Sequence, residues 1–234
     1  MKLHQSQVLS NLGLFDCIIG LCRHTNDMYL LWKVCEFFQP KKILEIGFLA
    51  GQSLGLIYEA SDNADFISVD IDYTHRTVFD KLFPSPNGKF IKDSSMNLNL
   101  TEKFDLVHID GDHSYEYVVN DIQKVLPLLH NNSILCMDDF KDTKYPGVSK
   151  AVKEYLLGQH DFVPFLSGDQ EMFFHHVSHS ADYFLDSWIQ EKSNNFIYFH
   201  NYDYCGFTVL ESKTPNLFRE NHQMFIDALK FYNL

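Results

Sequence analysis

The chain has 234 residues, of which 45% are hydrophobic and 15% aromatic, enough to bury a sizeable core, so wholesale disorder is excluded. Its 31 acidic and 19 basic residues give a formal net charge of -12, and no block of Lys or Arg occurs, so we expect neither a nucleic-acid nor a membrane partner. No apolar run of about 18 residues is present and the N-terminus does not resemble a signal peptide, which predicts a soluble, cytoplasmic protein.

The cysteines are odd in number and scattered along the chain, at Cys17, Cys22, Cys35, Cys136 and Cys205. They form no CxxC pair and no Cys/His cluster in the sequence, so a zinc site is not predicted. We expect buried, reduced thiols instead.

Helical spacing of apolar residues marks the N-terminal region, residues 1–39, from Leu9 to Phe38, with a break predicted around Arg23 to Asp27. Pro40 closes this region, and short β-rich runs then alternate with helical segments. The predicted strands are KILEIG, DFISVDID, KFIKDS, KFDLVHID and SILCMDD, and the predicted helices are SLGLIYEA, HRTVFDKLF, EYVVNDIQKVLPLL and GVSKAVKEYLLG. This alternation predicts an α/β fold, a Rossmann-like doubly wound sheet that is mainly parallel.

The sheet is predicted to end in an antiparallel hairpin, because DFVPFLSGDQEMFFHHV contains two apolar runs around the turn SGDQ. Residues 40–179 would then form the Rossmann-like domain. Residues 180–234 are dense in Phe, Tyr, His and Asn and predict a short helix, an aromatic strand or strand pair, and a terminal helix from about Asn216. These aromatic side chains would form a large apolar patch if exposed, so we expect this extension to cover the substrate side of the pocket or to form a homodimer contact.

A glycine turn joins the first predicted strand to the following helix, in the stretch KKILEIGFLAGQSLGLIYEA. Ligands of open parallel sheets bind at the carboxyl ends of the strands, where Gly47 and Gly51 would let a ligand approach the backbone. Their G-x-x-x-G spacing differs from the G-x-G-x-x-G of dinucleotide-binding proteins, so that interpretation is weak. Glu45 would be costly to bury without a polar partner, and the alternative is that it only caps a loop.

Acidic residues also end the later strands. Asp70 and Asp72 end the second strand, about twenty residues after the turn, a spacing that suits an acid binding ribose hydroxyls. Asp110 follows the fourth strand, and Asp138 and Asp139 end the fifth, so these three carboxylates would meet at one edge of the sheet. Like charges so close need a cation or a proton, and oxygen ligands favour Mg²⁺, Ca²⁺ or Mn²⁺. The alternative is that Asp138 and Asp139 only cap the following loop.

These segments resemble, in this order, the motifs of class I S-adenosylmethionine-dependent methyltransferases. LEIGFLAGQSLGLI resembles the first motif in its E-x-G-x-x-x-G-x-S form, SVDID the second, IKDS the turn near the adenine, and FDLVHIDGDHSYEYVVNDIQKVLPLL the acid-bearing fourth-strand motif. SILCMDDF followed by YPGVSKAV is similar to the fifth-strand segment of small-molecule O-methyltransferases, which include metal-dependent enzymes that act on catechols and on sugars of natural products. The resemblance runs from Lys41 to Val177.

The resemblance implies a cofactor site for S-adenosylmethionine, formed by Glu45, Gly47, Gly51, Ser53, Asp70, Asp93, Ser94 and Asp110. In this site Asp70, or less favourably Asp72, would bind the ribose, and Asp93 and Ser94 would lie near the adenine. It also implies a divalent cation, Mg²⁺ or Mn²⁺, held by Asp110, Asp138 and Asp139. The chain departs from the family at Leu49, which replaces a common glycine, and at Asp139, where catechol-type enzymes often carry Asn.

Methyl transfer to a hydroxyl requires alignment of the reacting atoms and removal of the hydroxyl proton. Besides Asp110, we expect His113, three residues later in the same loop, to be catalytic as the base, with Lys141 as a second candidate and His108 a packed strand residue. The predicted function is metal-assisted O-methylation of a small hydroxylated molecule, such as a sugar or secondary metabolite. The alternatives are a same-fold metal-dependent hydroxylase and a non-catalytic cofactor-binding or interaction protein.

Overall fold

The computed structural model describes residues 25–62, 64–83, 87–157, 161–178, 198–204 and 207–213. Its helices are α1 (Thr25–Phe38), α2 (Gln52–Ala60), α3 (Arg76–Leu82), α4 (Tyr115–Val125) and α5 (Pro146–Tyr155), with short 3₁₀ turns at Ser95–Asn97 and Leu126–Leu128. Its strands are β1 (Lys42–Ile46), β2 (Asp65–Asp70), β3 (Gly88–Lys92), β4 (Phe104–Ile109), β5 (Leu129–Met137), β6 (Phe162–Ser167), β7 (Met172–His176), β8 (Tyr198–Tyr204) and β9 (Phe207–Lys213).

The described strands form one sheet in the order β3-β2-β1-β4-β5-β7-β6-β9-β8. The first five in this order are parallel, because each is joined to the next along the chain by a crossover that includes a helix or a helical turn. Strand β7 returns antiparallel between β5 and β6, which places the predicted hairpin inside the sheet. The predicted fold class, a Rossmann-like and mainly parallel sheet with an antiparallel hairpin, is confirmed.

Helices cover both faces of the sheet, as the nearly continuous apolar strands require. One apolar layer combines the sheet with buried residues of α1, α2 and α3, among them Leu31, Leu54 and Phe79. The other combines it with α4 and α5, through residues such as Ile122 and Val152. A doubly wound sheet of this kind gathers its turns and helix N-termini at the carboxyl ends of the parallel strands.

The aromatic C-terminal stretch contributes a strand pair, one of the two alternatives predicted for it. Strand β9 pairs with β6 in parallel, and β8 pairs antiparallel with β9, so both strands belong to the same sheet. The helices predicted before residue 25, after residue 180 and from Asn216 lie outside the described residues. Among the helices that are described, none is both long and apolar enough to cross a membrane.

Candidate active site

The glycine turn between β1 and α2 lies against the end of β4. Gly47 has a φ of +92°, and a Cβ added to it would lie 1.8 Å from the carbonyl oxygen of Asp110. Its N–H donates to the carbonyl of Val69 at 2.9 Å, which fixes the turn to β2 as well. Gly51 has a φ of +77°, and a Cβ there would collide with the ring of Phe48. Both positions therefore need glycine for backbone conformation and for close approach.

Leu49 lies in the same turn with a φ of +46°, a conformation that costs a side-chain-bearing residue roughly 1 kcal/mol or more. Its side chain is 52% exposed, so it meets no packing conflict. This backbone conformation gives a physical reason for glycine at the equivalent position in the glycine-richer motif.

Asp70, the predicted ribose ligand, holds the glycine turn in place. Its Oδ2 accepts hydrogen bonds from the N–H groups of Phe48 at 2.5 Å and Leu49 at 3.1 Å, and its Oδ1 accepts one from Asp72. A carboxylate has about four lone-pair sites, so one acceptor site of Asp70 remains for a ligand. Asp72 is exposed, and its carboxylate accepts from the Thr74 hydroxyl instead.

The predicted adenine-side residues follow β3, next to Asp70. The N–H of Asp93 donates to the carbonyl of Asp70 at 3.0 Å, which places the ends of β2 and β3 together. The Oδ1 of Asp93 accepts from the N–H of Ser94 and the side-chain amide of Asn97. These bonds stabilise the anion and lower the pKa of Asp93. These bonds also hold the turn that follows β3. The part of Asp93 and Ser94 in adenine binding stays a prediction.

Two predicted cofactor residues, Glu45 and Ser53, are buried. The Oε2 of Glu45 accepts a hydrogen bond from Ser68 Oγ at 3.0 Å, and its Oε1 lies 3.9 Å from Nδ1 of His108. Ser53 is in the first turn of α2, and its Oγ has no hydrogen-bond partner among the described residues. A buried hydroxyl of this kind at a helix N-terminus is a candidate donor to a bound anionic group.

Asp110, His113 and Asp139 converge at the ends of β4 and β5, and we call them the open cluster. Their ligand atoms all lie within 4.8 Å of one another. His113 Nε2 lies 2.7 Å from Asp139 Oδ2 and 3.9 Å from Asp110 Oδ1. Groups of acidic and histidine side chains at this spacing could hold a metal ion.

Two backbone features build the open cluster. Asp139 has a φ of +54°, which Asp and Asn tolerate better than other side chains do, so the family's Asn and this Asp suit the same turn. The imidazole of His113 stacks on the ring of Tyr145, with centroids 4.1 Å apart and planes 20° apart. No motif in the sequence predicts this stacking, because it depends on how the loop before α5 folds over the loop before α4.

The charges of the open cluster are coupled. The carboxylates of Asp110 and Asp139 raise the pKa of His113 to about 10, since both stabilise the imidazolium. In this form the ring is protonated at neutral pH and donates rather than accepts a proton. It becomes a base only after losing that proton.

Three further residues that the sequence analysis considered for the site lie outside the open cluster. Asp138 accepts the N–H of Asp139 at its own Oδ1 and is not among the three residues of the open cluster. The Nζ of Lys141 donates to Ser167 Oγ and to the carbonyl of Gly168, at the end of β6. His108 is fully buried in β4, in agreement with its prediction as a packed strand residue.

Residues that the sequence did not single out complete the surroundings. A Cβ on Gly147 would lie 2.9 Å from the carbonyl oxygen of His113, so α5 packs directly on the loop that carries the imidazole. An open depression of about 440 Å³ adjoins the same loop. It is lined by Asp112, His113, Ser114, Tyr115, Lys144, Tyr145, Pro146 and Gly147.

Comparison with known proteins shows what part of the chain is similar to a known family. Residues 44–140 match a family model described as a methyltransferase domain. No curated protein matches the chain.

Solved structures share the fold at low sequence identity. The Podospora anserina methyltransferase PaMTH1 with bound SAH is 19% identical, with a TM-score of 0.57, over 75% of this chain and 89% of that one. The O-methyltransferase TomG of Streptomyces achromogenes, involved in tomaymycin synthesis and solved with SAM, is 14% identical, with a TM-score of 0.55. The match covers 72% of this chain and 89% of TomG. A putative caffeoyl-CoA O-methyltransferase of Staphylococcus aureus is 16% identical, with a TM-score of 0.58. The match covers 72% of this chain and 91% of that protein. The predicted resemblance to S-adenosylmethionine-dependent methyltransferases is confirmed, and the resemblance to the metal-dependent enzymes among them stays a prediction.

Proposed function

We propose that this chain, whose residues 44–140 match a methyltransferase domain model, transfers the methyl group of S-adenosylmethionine to a hydroxyl oxygen of a small molecule, with a divalent cation at the open cluster. The observation that carries the proposal is the contact between the glycine turn and the open cluster. Because Gly47 packs on the backbone of Asp110, a cofactor lying against the turn would have its reacting end beside Asp110 and His113.

S-adenosylmethionine is the proposed cofactor because the Podospora and Streptomyces structures contain its demethylated product or the cofactor itself. Features of the turn support the choice. The buried hydroxyl of Ser53 at the start of α2 would bind the carboxylate of the methionine part. The remaining acceptor site of Asp70 would bind a ribose hydroxyl, and the turn of Asp93 and Ser94 would border the adenine.

A divalent cation fits the donor set of the open cluster. Two carboxylate oxygens and one imidazole nitrogen within 4.8 Å suit an ion that keeps water or substrate oxygens in its other positions. The imidazole favours Mn²⁺ over Mg²⁺, since transition-metal ions accept nitrogen ligands more readily. Asp138 would support this site by fixing the backbone of Asp139. When bound, the cation would lower the pKa of a coordinated hydroxyl.

The side chains of the chain itself would position the acceptor. Asp110 and His113 lie on a loop that two contacts hold, the glycine turn on one side and α5 on the other. Of the two predicted bases, His113 is next to the carboxylates, whereas the ammonium of Lys141 is bound at the end of β6. While it binds the cation, the imidazole of His113 would be neutral and its Nε2 would hold the metal rather than take the substrate proton. The depression beside His113 has room for a small hydroxylated molecule, such as a sugar or a secondary metabolite.

Calorimetry with S-adenosylmethionine tests the cofactor assignment. We expect binding by the wild type and a loss of roughly 1–3 kcal/mol in binding free energy for Asp70→Ala. Asp72→Ala is the control, because Asp72 is an exposed neighbouring acid whose side chain bonds to Thr74. Thermal unfolding of both variants separates loss of the ligand contact from loss of the turn. Absence of binding by the wild type would refute the proposed function.

Methyl transfer to a panel of hydroxylated acceptors tests the cation. We expect activity to disappear in chelator and to return with Mn²⁺ or Mg²⁺, and Asp110→Asn to need more Mn²⁺ for half-maximal activity. Full activity in chelator would refute the cation and leave the cofactor assignment standing.

A further inference from the structure

A row of polar side chains crosses the middle of the sheet. Each member of the row lies two residues before Gly47, Asp110 or Asp138, which follow the ends of β1, β4 and β5. Glu45 pairs with His108 in the register of β1 and β4, and His108 pairs with Cys136 in the register of β4 and β5. Neighbouring strands lie about 4.8 Å apart, and paired residues project from the same face. These three side chains therefore meet in the apolar layer that contains α1 and α2, the layer to which Cys136 belongs.

Glu171 approaches the same place from the turn between β6 and β7. Its Oε1 lies 3.7 Å from Nε2 of His108. Asp27 of α1 holds this turn by accepting the N–H groups of Gln170 and Glu171. Gly168 leaves the room for that contact, since a Cβ there would lie 1.8 Å from Asp27 Oδ1. The position of Glu171 is therefore fixed by α1 as well as by the sheet.

We call His108, Cys136 and Glu171 the closed cluster, and we propose that it binds a structural zinc ion. The ligand atoms of the three residues lie within 4.8 Å of one another, and each residue is at most 2% exposed. An imidazole nitrogen, a thiolate and a carboxylate oxygen are the three ligand types that zinc takes in proteins, and three such ligands leave one tetrahedral position for water or a further carboxylate.

The orientation of His108 supports a metal more directly than the composition does. Neither ring nitrogen of His108 has a hydrogen-bond partner among the described residues, although the side chain is completely buried. Nε2 faces Glu171 at 3.7 Å, and Nδ1 faces Glu45 at 3.9 Å. Metal-bound histidines usually donate their other N–H to a carboxylate, and Glu45, itself held by Ser68, is the carboxylate on that side of the ring, at 3.9 Å.

The zinc ion would tie together elements that the chain connects only over long distances. Its ligands come from β4, β5 and the β6–β7 turn. Glu45 of β1 would orient the His108 ring from the side opposite the ion. Glu45 lies two residues before Gly47, so the same ion would stiffen the strand that leads into the glycine turn. The inference stands independently of the proposed function, because no ligand of the closed cluster belongs to the open cluster.

The test uses the full chain, refolded with Zn²⁺ and dialysed against EDTA, in a background where Cys17, Cys22 and Cys205 are serine. We expect about one retained zinc per chain. X-ray absorption should show one sulfur at about 2.3 Å and nitrogen or oxygen ligands at about 2.0–2.2 Å. The closed cluster is left unchanged, and the wild-type chain is measured alongside, so that the answer does not depend on whether the serine background folds. No retained zinc, or a zinc shell without sulfur, overturns the proposal.

Cobalt identifies the cysteine. Protein refolded with Co²⁺ should show a thiolate-to-cobalt charge-transfer band, which Cys136→Ser abolishes. Cys35→Ser is the matched control, because Cys35 is equally buried in the same apolar layer but is not one of the three ligands. If the band is still present in Cys136→Ser, the assignment of Cys136 as the ligand is wrong, whether or not Cys35→Ser removes the band.

Discussion

The open and closed clusters use similar residues at different depths. In the open cluster the side chains of His113, Asp110 and Asp139 are 31%, 14% and 13% exposed, whereas His108 and Glu171 of the closed cluster are 0% and 2% exposed. His108 and Asp110 are two residues apart in the chain, yet one lies inside the sheet and the other at its edge. A site that exchanges its ligands with solvent can do chemistry, and a site without access can only stabilise the fold. The proposed roles of the two clusters, one chemical and one structural, follow this difference in depth.

Gly47→Ala should have the largest effect on both clusters, because it pushes the glycine turn away from the end of β4, between His108 and His113. We expect the free energy of unfolding to fall by about 3–5 kcal/mol, since the new Cβ meets the backbone of Asp110 and φ is positive. Urea titration measures the change. Gly111→Ala is the control, with its nearest contact at 3.3 Å to a side-chain methyl, and should change stability by about 1 kcal/mol or less. Equal effects of the two substitutions would contradict this account.

His113→Gln should separate the clusters, because it changes the open one alone. We expect methyl transfer to fall by at least about 100-fold and Mn²⁺ binding to weaken, with zinc retention unchanged. The chain offers a matched control in His130, whose Nε2 lies 2.8 Å from Asp105 Oδ1 with similar exposure, at the opposite end of β4 and β5. His130→Gln should change activity by about twofold or less. A comparable loss in both variants would mean that the ion pair matters for stability and not for chemistry.

Asp121→Asn shows what burial of an acid does outside either cluster. Burial raises the pKa of Asp121 to about 6, above its value in the unfolded chain, so the carboxyl stabilises the fold below about pH 4 and this contribution is lost as pH rises through 6. We expect the variant to gain about 1–2 kcal/mol relative to the wild type between pH 4 and pH 7, by urea titration at each pH.

Asp112→Asn is the control of opposite sign. The pKa of Asp112 is lowered by its bond to Ser114, so its stabilisation is present above the unfolded pKa and is lost on acidification. The variant should therefore become less stable relative to the wild type as pH rises. The same pH trend in both variants would refute the assignment for Asp121.

Leu49→Gly should have the smallest effect and tests the strain in the turn. Relief of the positive φ gains roughly 1 kcal/mol, and the added freedom of glycine in the unfolded chain offsets about 0.5–1 kcal/mol of it. We expect thermal stability equal to the wild type or slightly higher. Leu49→Val should lower it, because a β-branched residue tolerates this conformation least. A glycine variant less stable than the valine variant would contradict the strain.

The sequence was sufficient for the fold and for the strand-end acids, because both follow from local patterns. Alternating apolar runs and helical segments predict the doubly wound sheet, and Asp70, Asp110 and Asp139 end their strands where the patterns end. Asp110 and Asp139 were therefore predictable as neighbours, whereas the sequence grouped Asp138 with them where the structure has His113. Their roles in cofactor and cation binding stay predictions.

The closed cluster could not be predicted, because it depends on register. Phe104 pairs with Leu129, but an irregularity follows, and Leu106 pairs with Ile134. Without that shift His108 would face Ser133 and not Cys136. The sequence argued against zinc for the same reason, since no spacing along the chain reveals a thiol and an imidazole that meet only across two strands. The stacking of His113 on Tyr145 is a second contact of this kind.

The short pairing between β6 and β9 bears on the order in which the strands assemble and on which of them open first. Strands β6 and β9 are paired at two positions, Leu166 with Leu210 and Ser167 with Glu211. The β8–β9 hairpin has seven residue pairs. Pairing β6 with β9 brings together positions more than forty residues apart for few residue pairs. We therefore expect the β8–β9 hairpin to form early by itself and to dock late. Native-state hydrogen exchange should find the amides of β9 that face β6 opening at lower free energy than those of β1 and β4.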